Sequence, residues 1–209
     1  MDVILVAAGG LAREVVAAEP VGIRFVGMLD DNSALHGTQV AGVPVLGGLD
    51  HVVAHPHAGI VLCAGSGRAR RGLSSRLGEF DIDDDRYATI IAPGVRVPRG
   101  CVVGSGSILL SSVVLTADVR VGRHVVVMPN CTITHDDVLE DFSTLAAGVA
   151  LGGAVHIRES AYIGMNASIR QGLIVGTEAT VGMGAAVITD VPEHQTWAGV
   201  PARQMGGNE

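Results

Sequence analysis

A period of six residues runs through the second half of the chain and constrains its fold more than any other feature. Starting at Ile91, every sixth residue as far as Val187 is Ile, Leu or Val. A second column, four residues after the first, contains small or apolar residues, with Asp137 as its only charge. This spacing fits neither a helix, with 3.6 residues per turn, nor a two-faced strand, with a period of two.

A chain that makes one short strand and one turn in every hexad accounts for the pattern. Three such hexads close one triangular coil, with the aliphatic column inside and the small column near the corners. Glycine often follows the aliphatic residue, which suits tight turns. The sequence therefore predicts a parallel β-helix of hexapeptide repeats. Its faces should be unbroken, because no residue is inserted between Ile91 and Val187.

The first ninety residues have a different pattern, in which apolar runs alternate with glycine turns and helical segments. Strand, turn, helix and strand in this order predict an α/β domain with a Rossmann-like parallel sheet. We expect this domain at 1–88, the β-helix at 89–191 and a C-terminal cap at 192–209. The expected strands are 3–8, 23–29 and 60–64, and the expected helices are 11–18 and 68–77.

Each predicted strand of this domain ends in residues that suit a ligand. Gly9 and Gly10 let a diphosphate approach the N–H groups of a helix N-terminus. Asp30 and Asp31 suit hydrogen bonds from a ribose or base, and Gly65 begins a third glycine turn. Two interpretations stay open: a mononucleotide or nucleotide-sugar site, or glycines that only permit tight turns. The sequence lacks GxGxxG, which disfavours a redox dinucleotide.

The charge composition excludes several classes of function. The net charge is −7, and all 14 basic residues are arginine. Without lysine the chain has no Schiff base, pyridoxal phosphate anchor or P-loop lysine. The acidic balance disfavours nucleic-acid and membrane partners. The three cysteines are widely spaced and odd in number, so we expect reduced thiols in a cytoplasmic protein without a membrane span.

His135 is the side chain best suited to chemistry. It is followed by Asp136 and Asp137, and a neighbouring carboxylate fixes the tautomer of an imidazole that acts as a general base. The alternative is a solvated surface histidine among acids. His124, His135 and His156 occupy different phases of the three-hexad coil, so we expect no metal site within one chain.

Two motifs, ITHDDV at 133–138 and AGVPA at 198–202, accompany the glycine turn after the first strand and the segment LDDN at 29–32. Together they resemble the hexapeptide-repeat sugar acyltransferases of the sialic acid O-acetyltransferase family, most of all the bacterial UDP-4-amino-sugar N-acetyltransferases. The resemblance covers nearly the whole chain. It implies a left-handed β-helix, acetyl-CoA as co-substrate, a nucleotide sugar in the N-terminal domain, and a homotrimer with active sites between adjacent prisms.

The resemblance also assigns roles to individual residues. His135 resembles the general base that deprotonates the sugar amine or hydroxyl, and Asp136 resembles the acidic neighbour that raises the basicity of that base. The other positions fall into two groups. The substrate-binding positions are Gly9, Gly10, Leu11, Asp30, Asp31, Gly65 and Arg70. The cofactor-binding positions, near acetyl-CoA, are Thr144, Gly164, Met165, Gly182 and Met183.

The sequence therefore predicts an acetyl-CoA-dependent acetyltransferase that acts on the amino group of a nucleotide-linked amino sugar by direct transfer. Three alternatives stay open: acetylation of a sugar hydroxyl, acyl transfer to another small amine or hydroxyl, and a sugar-nucleotide-binding trimer without activity. Two positions depart from the family. Leu11 stands where many relatives have a histidine in the sugar site, and Thr144 stands where some place a polar ring against acetyl-CoA.

Overall fold

Buried aliphatic residues build a parallel sheet in the first part of the chain. In the computed structural model, which describes residues 1–206, the parallel strands are β1 (Asp2–Val6), β2 (Arg24–Leu29), β4 (Val43–Gly47) and β5 (Gly59–Leu62). The short strand β3 (Gln39–Val40) pairs antiparallel with β4, and the order is β3-β4-β2-β1-β5. Burying each Val, Ile or Leu of the central strands contributes about 1.5–3 kcal/mol of hydrophobic stabilisation.

Two α-helices accompany this sheet. Helix α1 (Gly10–Ala17) follows β1 after a glycine turn and buries Leu11 in the core. Helix α2 (Gly67–Gly78) begins after Ser66, whose hydroxyl accepts a hydrogen bond from the N–H of Ala69, as an N-cap serine does. In residues 1–206, no helix has the length and apolar character needed to cross a membrane. Short 3₁₀ turns lie at Ser33–Leu35, Leu49–Ala54 and Asp84–Arg86.

The hairpin of β3 and β4 was not predicted from the sequence, which indicated no strand between 29 and 60. Gly42 and Gly47 interrupt the apolar pattern, and Pro44 stands inside β4. Proline is tolerated near the edge of a sheet, and here the sheet ends one short strand away. The expected strands and helices elsewhere in this unit lie within a few residues of the observed ones.

From Ile90 onward the chain winds through very short strands whose partners lie three hexads apart in the sequence, as in the pairing of Val126 with Thr144. A slightly longer strand and a short antiparallel partner end the series. The strands are β6 (Ile90–Ile91), β7 (Val102–Val103), β8 (Ile108–Leu109), β9 (Val114–Leu115), β10 (Arg120–Val121), β11 (Val126–Val127), β12 (Thr132–Ile133), β13 (Val138–Leu139), β14 (Thr144–Leu145), β15 (Ala150–Leu151), β16 (His156–Ile157), β17 (Tyr162–Ile163), β18 (Ser168–Ile169), β19 (Ile174–Val175), β20 (Thr180–Val181), β21 (Ala186–Val187), β22 (Thr196–Ala198) and β23 (Arg203–Gln204).

These strands form the three faces of a triangular prism. Face 1 contains β7, β10, β13, β16 and β19, and face 3 contains β9, β12, β15, β18 and β21. Face 2 contains β6, β8, β11, β14, β17 and β20, and the hairpin of β22 and β23 extends it. The chain visits faces 1, 2 and 3 in turn, and each corner is named below by the two faces that it joins.

Both sequence columns point into the prism. Every member of the aliphatic column from Leu109 to Val187 is buried, and so is every member of the second column from Ser107 to Val191. Val97 is 39% exposed, because the first coil has neighbouring strands on one side only. The six-residue period thus corresponds to one strand and one corner, as predicted.

The N-terminal sheet unit docks on corner 1/2. The backbone of Gly67, at the start of α2, lies so close to the carbonyl of Phe142 that a side chain there would overlap it. The ring of His124 is stacked on Phe142, with centroids 5.0 Å apart, and meets Tyr87 edge-on at 4.4 Å. This docking places helix α1 beside face 2 of the prism.

Candidate active site

An apolar groove of about 760 Å³ lies between helix α1 and the prism. Gly10, Leu11 and Glu14 of α1 form one wall together with Gly65. The other wall is face 2 and corner 2/3, where the same positions recur once in every coil. Its lining residues are Val126, Thr144 and Tyr162 on the face, and Leu110, Met128 and Ala146 with Ser111, Pro129, Ala147 and Met165 at the corner.

This groove brings together residues that the sequence analysis assigned to two different ligands. Gly10, Leu11 and Gly65 come from the expected sugar site, and Thr144 and Met165 from the expected acetyl-CoA site. The N-terminal unit supplies the first set and the prism supplies the second. The groove is therefore a junction between the two parts of the chain.

Glu14 is a lining residue that the sequence analysis missed. It is exposed, and it is the one charged residue that lines the groove within residues 1–206. It lies one helical turn after Gly10, on the same side of α1, because positions four apart share a helix face. This four-residue spacing from the glycine turn is the sequence signal that could have identified Glu14. A carboxylate in an otherwise apolar groove suits a hydroxyl or an ammonium group.

The other cofactor-binding positions continue corner 2/3 beyond the groove. Gly164 and Gly182 follow Ala146 in one column of the corner, and Met183 follows Met165 in the next. Met165 and Met183 are 48% and 73% exposed. Successive coils are about 4.8 Å apart, so this corner presents a straight strip of apolar side chains and glycine backbone.

Gly9, Asp30 and Asp31 lie outside the groove, at the carboxyl ends of β1 and β2. Gly9 is the N-cap of α1. Asp30 accepts a hydrogen bond from the N–H of Ala8 at 2.8 Å. Asp31 pairs with Arg76 at 2.6 Å, and that hydrogen bond lowers the pKa of its carboxyl group. Both aspartates line a small cavity of about 130 Å³, which is distinct from the groove.

Arg70 does not face a ligand, and its expected role as a substrate contact is corrected here. The side chain is fully buried. Its Nε, Nη1 and Nη2 atoms all donate hydrogen bonds to protein oxygens. Burial lowers the pKa of the guanidinium to about 10, so the group stays charged at neutral pH.

His135 lies at corner 3/1, in the turn between β12 and β13. Its Nδ1 is 2.8 Å from Oδ2 of Asp136, and its side chain is 65% exposed. The ring lies against Gly153, where a Cβ atom would overlap ring atoms. A proton held between Nδ1 and the carboxylate leaves Nε2 free to accept another. The pair therefore has the geometry of a general base and its orienting acid.

Asp137, the second carboxylate after His135, is fully buried. Its two oxygens accept hydrogen bonds from the N–H groups of Thr134 at 2.7 Å and Val155 at 2.8 Å. Burial raises its pKa to about 6, although these hydrogen bonds act in the opposite direction. Asp137 thus ties two coils together from inside the prism and does not reach a ligand.

The remaining prism histidines lie on other sides. His124 is buried at corner 1/2, and His156 lies on face 1 with its Nε2 atom 2.7 Å from Glu140. Within the described part of the chain, no three His, Cys, Asp or Glu side chains are grouped so as to hold a metal ion.

His135 and the groove lie at nearly the same height on the prism but at two different corners. Pro129 lines the groove at corner 2/3, and His135 follows it by one hexad, the width of face 3. His135 lies at corner 3/1 and is not among the residues that line the groove, so within a single chain face 3 separates the two.

The chain has known relatives, although no family model matches it. Over 122 residues it is 37% identical to GDP-perosamine N-acetyltransferase of Escherichia coli O157:H7, a match that covers 56% of this chain and 55% of that protein. The chain spans about half the length of the curated relatives it matches, from 42% to 64%.

Solved structures match over almost the whole chain. The acetyltransferase domain of PglB from Neisseria gonorrhoeae FA1090, in complex with acetyl coenzyme A, has a TM-score of 0.87 and 27% identity, and the match covers 98% of both chains. A mutant of GDP-perosamine N-acetyltransferase from Caulobacter crescentus, in complex with CoA and GDP-perosamine, has a TM-score of 0.91 and 24% identity, with 99% and 98% coverage. The second likeness shows the fold alone.

Proposed function

We propose that this chain, which is similar to hexapeptide-repeat sugar acetyltransferases, transfers the acetyl group of acetyl-CoA to the amino group of a nucleotide-linked amino sugar. One observation carries the proposal: positions expected to bind the sugar and positions expected to bind acetyl-CoA line the same groove. Direct transfer requires this convergence, because the amine and the thioester carbonyl must be held within reacting distance.

In this proposal, residues 1–88 are a Rossmann-like domain that binds the nucleotide sugar. Support comes from the parallel strands β1 and β2, which end at Val6 and Leu29, shortly before Gly9 and Asp30. Gly9 is also the N-cap of α1. Ligands of open parallel sheets bind at the carboxyl ends of the strands. Leu11 gives the sugar end of the groove an apolar contact where many relatives have a histidine.

Acetyl-CoA is proposed to lie along corner 2/3 of a left-handed helix. Met165 and Met183 offer exposed apolar contacts to the pantetheine chain. Gly164 packs directly against the backbone of the next coil, where a side chain would overlap it, so the coils stay close together. The far end of this strip meets the proposed cap at 192–209, whose residues 207–209 lie outside the described part. There Ala198 packs over Gly182.

The proposed assembly is a homotrimer. Its support is the distance between His135 and the groove, since a second copy that turns corner 3/1 toward the groove would bring them together. Face 3, which lies between the two, has small outward side chains, Ala150, Ser168 and Ala186. Flat faces of this kind allow two prisms to pack closely, and a pocket then forms at the boundary.

The proposed chemistry is a direct acyl transfer. The neutral amine attacks the thioester carbonyl, Nε2 of His135 takes a proton from the attacking nitrogen, and Asp136 holds the ring. The C–N bond forms, the C–S bond breaks, and the sulfur of CoA receives the proton. Gly152 donates its N–H to the carbonyl of Ile169 at 2.9 Å. We therefore assign the oxyanion hydrogen bond to Gly153, beside the ring.

Release of the CoA thiol from acetyl-CoA tests the proposal. The assay uses a panel of UDP-, dTDP- and GDP-linked amino sugars, beside the same sugars with a hydroxyl in place of the amine. Thiol release with an amino sugar, together with an acetylated product by mass spectrometry, supports N-acetylation. Release only with the hydroxyl sugars favours O-acetylation. Absence of release across the panel, with acetyl-CoA still bound, contradicts both.

A further inference from the structure

Arg70 joins the two parts of the chain at the groove. Its side chain extends from helix α2 into corner 1/2, where it is fully buried. No carboxylate is among its hydrogen-bond partners within residues 1–206. Its donors reach five backbone carbonyls and one hydroxyl, at 2.7–3.0 Å: those of Ala64, Gly65, His124, Phe142, Ser143 and, through Oγ1, Thr144.

We propose that Arg70 is a positioning residue that sets the distance between the two walls of the groove, and that it thereby controls binding of the acceptor sugar while leaving the acetyl-CoA strip unaffected. The inference rests on the proposed function for the identity of the two ligands. The hydrogen bonds of Arg70 from which it is argued do not depend on that function.

Arg70 contacts both walls of the groove. Gly65 and Thr144 both line the groove, one from the N-terminal unit and one from face 2. Arg70 donates to the carbonyl of Gly65 from Nη1 and to the hydroxyl of Thr144 from Nη2. The Thr144 hydroxyl lies 3.4 Å from the same Gly65 carbonyl. The planar guanidinium therefore fixes both walls through one rigid group.

The shape of the guanidinium group allows these contacts. A guanidinium presents five N–H groups in a fixed fork, whereas an ammonium presents three from one point. Lysine at position 70 would keep the charge but could not reach carbonyls on both sides of the junction. A buried carbonyl that loses its hydrogen-bond donor destabilises the fold, because no water molecule replaces the donor. The walls would then move apart, or rotate, to recover hydrogen bonds.

The strip at corner 2/3 is built without Arg70. Gly164, Gly182 and Met183 belong to corner 2/3 of the prism, and their positions depend on the parallel pairing of prism strands. None of them bonds to the N-terminal unit through Arg70. Thr144 is the one expected acetyl-CoA position that Arg70 contacts, and it lies on face 2 and not on the strip. A change at Arg70 should therefore alter the groove, which both units build, far more than the strip, which the prism builds alone.

Neighbouring arginines provide a matched control. Arg68 and Arg71, on the same helix, pair with Glu178 of the prism, and Arg71 also pairs with Glu159. The Arg68 side chain is 73% exposed, and exposed ion pairs contribute little. Arg68→Gln removes one link between the same two units without touching the groove.

The experiment compares Arg70→Lys, Arg68→Gln and the wild type. For each protein we would measure the melting temperature, the acetyl-CoA dissociation constant, and KM and kcat for an amino-sugar nucleotide that the wild type accepts. We expect Arg70→Lys to raise the acceptor KM at least tenfold and to leave the acetyl-CoA dissociation constant within twofold. Arg68→Gln should leave all of these within twofold.

A folded Arg70→Lys protein with an unchanged acceptor KM overturns the proposal. Parallel loss of acceptor and acetyl-CoA binding also overturns it, because that result indicates only a general structural role. If the wild type acetylates nothing in the panel, the proposed function fails, and hydrogen exchange of the wild type then tests the Arg70 contacts alone.

Hydrogen exchange of the wild type also tests the proposal if the Arg70→Lys variant does not fold. Segments 64–70 and 142–146 should exchange together and far more slowly than the exposed segment 81–85. Exchange of 64–70 as fast as that of 81–85 would overturn the proposal without any variant or substrate.

Discussion

The imidazole of His135 lies directly against the backbone of Gly153, which occupies the same corner one coil further along the prism. The N–H of the next residue, Ala154, donates to the carbonyl of His135 at 2.8 Å. The proposed base is therefore held from two directions, by Asp136 through Nδ1 and by the glycine backbone against the ring. Only a residue without a side chain leaves room for the ring in this position.

Gly153→Ala should displace this ring. The new methyl group would occupy the space of Cε1 and Nε2, and the backbone at 153 is not in the left-handed region, so alanine adds no backbone strain. We expect kcat to fall at least tenfold, because small misplacements of a reacting group are costly. Thiol release measures kcat, and an unchanged melting temperature and acetyl-CoA affinity are the controls. A folded variant with wild-type kcat would show that the ring position is unimportant.

His135→Ala should lower kcat by roughly 10² to 10⁴ if the residue is the general base. The matched control is His156→Gln. His156 is also a prism histidine held by a carboxylate, Glu140, but it lies on face 1. Thiol release at saturating substrates compares the two variants. Near-normal turnover in His135→Ala, or an equal loss in both variants, would refute the assignment of the base.

Glu14→Gln should raise the KM of the acceptor about tenfold and change kcat little. Its carboxylate is the charged group of an apolar groove, and hydrogen bonds to charged groups are stronger than neutral ones. A contact made equally in the ground state and the transition state affects KM. Initial rates at varied acceptor concentration provide the measurement. Glu19→Gln, just beyond α1 and outside the groove, is the control and should match the wild type.

The stability of the chain should depend on the protonation of His124. Burial lowers the pKa of this imidazole to about 4, and its Nδ1 is buried without a hydrogen-bond partner. Between pH 6.5 and 4 the unfolded chain binds the proton more readily than the folded chain. The free energy of unfolding should therefore fall as the pH drops, by about 2–3 kcal/mol at pH 4.5 for this group.

His124→Phe should remove that loss. Phe142 occupies the same corner one coil on with the same left-handed backbone, φ 61° against 53°, so an aromatic ring fits the corner. Urea unfolding at pH 7 and 4.5, at one protein concentration, measures the difference. Asp137, with a pKa raised to about 6, acts in the opposite direction but is common to both proteins. An equal pH dependence in both would contradict the prediction.

The prism was predictable because its core repeats. Each residue of the aliphatic column meets the same surroundings as its neighbours in the coils before and after it, so a local period encodes long-range contacts. Leu109 and Val187 lie at opposite ends of the regular column, and both are buried. Asp137, the one charged residue of the second column, is buried like the other members of that column from Ser107 to Val191.

The junction between the two units was not predictable, because no period governs it. Residues 68–71 have the sequence RARR, and nothing in that pattern distinguishes the buried Arg70 from the exposed Arg68. Its burial follows from carbonyls supplied by corner 1/2, more than fifty residues away in the chain. The resemblance placed Arg70 among the expected sugar-binding positions, whereas the structure buries it behind the residues that line the groove.

The roles of His135 and Asp136 remain predictions, although their contact is present in the structure. The sequence could place both at one corner, because adjacent residues need no long-range information. The sequence could not predict where His135 and Asp136 lie relative to the groove. In the proposed trimer, the pair and the groove would meet only between two copies of the chain. Pro129 and His135, one hexad apart, define the gap that an assembly would have to close.

Because each coil contains three hexads without insertions, the length of the prism is a whole number of coils. Deleting a single residue between Gly164 and Gly182 would rotate everything beyond it out of its column, whereas deleting a whole coil would preserve every column and move the hairpin of β22 and β23 closer to the groove by about 4.8 Å. The length of the strip can therefore change only in whole coils, and its present length is one of the permitted values.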